Sequence, residues 1–116
     1  MKRDMDVMRL LLLQLEGDEK AAERLKAYDE PLVVYNAALL VDSGLAEGSV
    51  ARGGENEPLG VAMSHMTWAG HDFLDAARNE TLWEKAKQIV MKPDTSFTFE
   101  TLEEYLKAEI RKQLGA

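Results

Sequence analysis

The side chains best suited to chemistry are His65, His71 and Asp72. Imidazole and carboxylate groups can hold a divalent cation without thiolates, so an adjacent His71-Asp72 pair is one start of a metal-dependent hydrolase. Such a centre needs further ligands, and the second of the two histidines, His65, falls on an expected strand. The competing reading packs His71 near Trp68 and pairs it with Asp75 one helical turn on. Asp42-Ser43-Gly44 reads as a helix end and not as a nucleophile turn. Gly53-Gly54 belongs to neither a G-x-x-x-x-G-K nor a G-x-G-x-x-G phosphate loop. No catalytic, cofactor-binding or metal-binding residue is therefore assigned, and the expectation is a protein that is not an enzyme and takes no cofactor and no small-molecule ligand.

Binding residues are the next candidates. Nucleic-acid affinity draws on Lys and Arg placed against phosphates, and base reading favours Arg, Lys, Asn and Gln. The chain carries 14 basic and 21 acidic residues, a net charge of −7. No segment is net positive: residues 1–47 hold 6 basic and 10 acidic, 48–66 hold 1 and 2, 67–91 hold 3 and 4, and 92–116 hold 4 and 5. Arg3, Arg9, Lys20, Arg24 and Lys26 could still meet in space, and Arg52 stands beside Glu55 and Glu57. The residues that would serve DNA are Arg24, Lys26, Tyr35, Asn36 and Arg52. Those that would serve a protein partner are Tyr35, Asn36 and Trp83, since aromatic side chains are enriched at such interfaces. Met5, Met8, Met63, Met66 and Met91 match the apolar stripes and read as core filling.

The elements that must position these residues follow from caps and periodicity. Asp4 caps a first helix with Met5, Met8, Leu12 and Leu15 inward, ended by Gly17. Asp18 caps a short second helix to Tyr28. Pro31, at the first helical position, opens a third helix to Ser43, ended by Gly44. One side of it carries Leu32, Tyr35, Ala38, Leu39 and Asp42, and most of it is expected to be buried. Leu45 to Arg52 and Leu59 to Met66 read as strands around a polar loop, a β-hairpin. Strict alternation places Val61, Met63 and His65 on one face. Thr67 caps a central helix whose stripe is read as Trp68, Phe73, Leu74 and Ala77, with Trp68 and Trp83 as anchors of the structure. A break falls near Arg78 to Thr81, and Pro93-Asp94 ends the next helix. Thr98 caps a last helix with Phe99, Leu102, Leu106, Ile110 and Leu114 inward.

The length of 116 residues and an apolar fraction of 46% predict one folded domain over 1–116, with a C-terminal helical extension over about 67–116. The class is α+β, mainly α. Three helices, a hairpin and further helices is the order of a winged helix, a helix-turn-helix variant, in which Pro31 to Ser43 takes the recognition-helix position and Gly53 to Pro58 the wing tip. The chain has no cysteine, so a reducing cytoplasm fits. Asp4 and Asp6 interrupt the place where a signal peptide would be apolar. The longest uninterrupted apolar run, Ala37 to Val41, is far too short to span a bilayer.

The start MKRDMD, the run DSGLAEG after the third helix, MTWAGHDFLDAARNETLW and the closing SFTF…L…L pattern together resemble an uncharacterised, domain-of-unknown-function family of short bacterial and prophage proteins. The resemblance covers residues 1–16 and 31–114, and W-x-G-H-D-F-L is its most specific part. It implies a winged-helix-like fold and a phage or mobile-element setting, and it brings no activity and no catalytic residues. The function expected is a non-enzymatic winged-helix module acting by protein–protein binding, to a host or defence component or to a second copy. The alternative is a DNA-binding transcriptional regulator.

Overall fold

A computed structural model describes residues 2–92 and 96–115. The expected stop at Pro93-Asp94 lies outside the described residues. The elements run α1 Met5–Leu15, α2 Glu19–Leu25, α3 Glu30–Asp42, β1 Ala46–Arg52, β2 Pro58–Met66, α4 Trp68–Ala77, α5 Glu80–Ile89 and α6 Phe99–Gly115. The class is α+β, mainly α, with one two-stranded antiparallel sheet. No helix among the described residues is long and apolar enough to cross a membrane. The chain divides into two compact units, Met1–His71 and Asp72–Ala116.

In the first unit the caps act as their residue types require. The Asp4 carboxylate accepts the N–H groups of Asp6 and Val7, and Asp18 accepts those of Lys20 and Ala21. Each satisfies donors that the first helical turn leaves open. Pro31 takes the second helical position, one later than expected, where its missing N–H still has no intrahelical acceptor to lose. Gly44 ends α3 with φ of +81°, a left-handed backbone that glycine adopts without a Cβ clash. Leu45 N–H then reaches back to the Leu40 carbonyl and Gly44 N–H to that of Val41, the paired bonds of a Schellman ending.

Helix α1 packs on α2 and α3, and α3 packs on both strands. Val7, Leu12 and Leu40 are fully buried there. Coverage of α3 is less complete than its composition suggests, since Leu32 to Tyr35 are only half-buried. The hairpin pairs Glu47 with His65 and Gly48 with Met63, so Ser64 is an extra residue on β2. This bulge corrects the expected alternation. Val61 and Met63 are half-buried, but His65 is exposed and Met66 takes the buried place.

Thr67 joins β2 to α4. Its hydroxyl donates to the Gly44 carbonyl (2.6 Å) and accepts the Gly70 N–H (3.1 Å). A Cβ on Gly70 would run into the Leu45 carbonyl, so glycine is what permits this approach. Within the second unit Phe73, Leu74, Ala77, Leu82, Trp83, Leu102 and Leu106 form the core. Trp83 meets Phe73 edge-on at 6.3 Å, and Phe99 lies 4.6 Å from Phe73. Asn79 caps α5 through Leu82 N–H, which places the predicted break at residues 78–79. Thr98 caps α6 through Thr101 N–H. The apolar stripe of α6 stops short of its expected end, because Leu114 is exposed.

Candidate functional site

Pro31, Tyr35, Ala38, Leu39 and Asp42 stand at i, i+4, i+7, i+8 and i+11, which a 3.6-residue period places on one stripe of α3. They form one wall of a groove of about 460 Å³. The facing wall is the hairpin tip, with Arg52, Asn56, Glu57 and Pro58. That tip is held by its own backbone. Gly53 N–H donates to the Glu57 carbonyl (2.9 Å) and Asn56 N–H to that of Gly53 (3.0 Å). Asn56 has φ of +66°, which asparagine tolerates better than most residues.

Charge in the groove is organised around Arg52. Its Nη2 donates to Asp42 Oδ2 at 2.6 Å, and its Nη1 to the Asn56 carbonyl at 3.1 Å. The pair ties α3 to the hairpin. Glu57 is a second carboxylate of the lining, and its Oε2 accepts the Glu55 N–H at 2.9 Å. One cation thus faces two carboxylates, over a floor of proline, alanine and leucine.

The groove brings together Tyr35 and Arg52 of the residues expected to bind. Asn36 goes elsewhere. It is fully buried, accepts the Asp4 N–H (2.8 Å), and donates to the carbonyls of Leu32 (2.9 Å) and Lys2 (3.4 Å). Trp83 is also interior, 2% exposed. Both are structural residues and correct the expectation of surface contacts. Lys26 is exposed but paired with Glu23 at 2.8 Å, and Arg24 lies on the exposed side of α2. Ala38, Leu39, Asp42 and Pro58 are site residues that the sequence reading did not select, although the α3 stripe already held the first three.

Trp68 is the larger correction. It is 88% exposed, although it was expected as an anchor. At 100° per residue, Trp68 lies about 140° from Phe73 and about 180° from Ala77, so it never shared their stripe. The histidine pairing also fails. His71 is exposed, Asp75 is held by Arg78 at 3.0 Å, and Asp72 by Lys107 at 2.8 Å. Among the described residues no group of three or more His, Asp or Glu could hold a metal ion.

Shifted ionisable groups sit on α5 and α6. The hydrogen bond from Lys85 (3.1 Å) holds the Glu109 carboxyl below its ordinary value, with Lys112 at its other oxygen (3.4 Å). The same bond raises Lys85, and the bond to Asp72 raises Lys107. Burial pushes Glu103 up, against the pull of Lys107. These ion pairs tie α6 to α5 and to α4.

Against known proteins, a pattern described as "Hypothetical protein (DUF2513)" matches residues 2–97, which takes in every element up to α5 and leaves out α6. An "Uncharacterized protein" of Haemophilus influenzae (strain ATCC 51907 / DSM 11121 / KW20 / Rd) is 29% identical over 120 residues, 99% of this chain and 100% of that one. No solved structure matches the chain. With a match that spans three helices, the hairpin that closes on them and two helices more, the chain belongs to the DUF2513 family.

Proposed function

We propose that this chain is a non-enzymatic, winged-helix-like interaction module that binds another protein through the groove between α3 and the hairpin tip. The observation that carries this reading is the state of Arg52. In the place where a winged helix offers free cations to phosphate, the one arginine of the groove is already bonded to Asp42 and to the Asn56 carbonyl. The floor beside it is apolar. An apolar groove can take the side chains of a partner segment as anchors. A phage or prophage setting rests on the motifs that carry the family resemblance, and work in the cytoplasm on the lack of cysteine. The partner is a host or defence component or a second copy of the chain.

A DNA-binding regulator is the alternative, and the order of three helices and a hairpin favours it. Fluorescence anisotropy with a short random-sequence duplex separates the two. The expected outcome is no binding at low salt. Binding that falls steeply with salt and is lost in Arg24→Ala overturns the protein-binding reading.

A further inference from the structure

Resting on that reading, we propose that the occupant of the groove is a basic peptide segment with an apolar anchor. The length of the groove suits an extended segment. Pro31 and Asp42 are eleven residues apart on α3, about 16 Å at 1.5 Å per residue. That is the span of about five residues of extended chain. The floor of Ala38, Leu39 and Pro58, with half-buried Tyr35 beside it, suits an aliphatic or aromatic side chain.

Charge then selects the sign of the partner. Two of the five guanidinium donors of Arg52 are engaged by the fold itself, one by a carboxylate. An incoming acidic group meets the like charge of Asp42 and Glu57, and the Arg52 donor held by Asp42 is not open to it. An incoming Lys or Arg meets the two carboxylates without breaking any bond. Glu55 adds negative charge at the hairpin tip, and Glu30 adds it at the start of α3. Complementary potential of this kind sets specificity and encounter rate more than raw affinity.

The test pans a displayed library of random peptides against the full chain and measures the enriched peptides by fluorescence anisotropy. Enriched sequences are expected to pair Lys or Arg with an aliphatic or aromatic residue. Tyr35→Ala and Asp42→Asn are each expected to weaken binding by about tenfold, a loss of about 1.4 kcal/mol. Glu57→Gln weakens it in the same direction and serves if Asp42→Asn disturbs the hairpin, which circular dichroism melts will show. Arg52→Gln removes the cation that competes for Asp42 and is expected to tighten binding. Enrichment of acidic peptides, or binding tightened by Asp42→Asn and lost in Arg52→Gln, overturns the charge assignment. In that case the groove itself stands if Tyr35→Ala still weakens binding. Affinity indifferent to Tyr35→Ala, or no enrichment at all, removes the groove and the inference together.

Discussion

Glu109 is a buried carboxylate with a lysine at each oxygen, Lys85 at 3.1 Å and Lys112 at 3.4 Å. Its folded-state value lies below the usual 4.5, mainly through the Lys85 bond. Its stabilising contribution is therefore full above 4.5 and is lost as pH falls through the lower folded value. Lys85 is raised above 10.5 by the same bond, so its contribution is full below 10.5 and is lost as pH rises through the higher folded value. Glu109→Gln is expected to melt at a lower temperature than the parent at neutral pH, with the gap closing well below 4.5. Thermal melts at both pH values check this, and a constant gap would assign the loss to packing. None of this was visible in the sequence. Position 109 lies three residues from both Leu106 and Lys112 on α6, but Lys85 comes from α5, 24 positions away. Asn36 was misplaced for the same reason, because two of its hydrogen-bond partners stand more than 30 positions earlier.

Helix starts were legible because capping is local. Asp4, Asp18, Thr67 and Thr98 each bond to an N–H two or three residues on, whereas the Asn79 cap shows in the sequence only as a break. The groove stripe Tyr35, Ala38, Leu39 and Asp42 was legible for a like reason, since its period lies within one helix. The β2 bulge was not, because register is settled by the opposite strand. Trp68 was lost through a five-residue step read as helical spacing. Gly70 shows an element's position resting on the absence of a side chain. Alanine within a helix ordinarily gains up to about 1 kcal/mol over glycine. Here the new Cβ meets the Leu45 backbone carbonyl, an atom that cannot rotate away. Gly70→Ala is expected to cost about 1–3 kcal/mol net, the usual cost of overpacking. Urea unfolding checks it, and a neutral or stabilised variant would mean that α4 can move off the Leu45 turn.

Across the whole chain the two tryptophans fall one to each compact unit. Trp68 is almost fully exposed, and Trp83 is buried against the Phe73 ring. Trp68→Phe is expected to leave blue-shifted emission that acrylamide quenches poorly and that shifts red on unfolding. Trp83→Phe is expected to leave red, readily quenched emission that barely moves. Emission spectra with and without denaturant check both, and equal quenching of the two variants would contradict the buried position of Trp83. The same scale gives Asn36 its meaning. Its amide fastens the Lys2 and Asp4 backbone from 34 and 32 positions away. Amide hydrogen exchange at Asp4 should accordingly be as slow as inside a helix. On the ribosome, the backbone at Lys2 and Asp4 cannot be fastened until Asn36 has been translated and has left the exit tunnel, so a polypeptide interrupted before that point leaves this stretch untied.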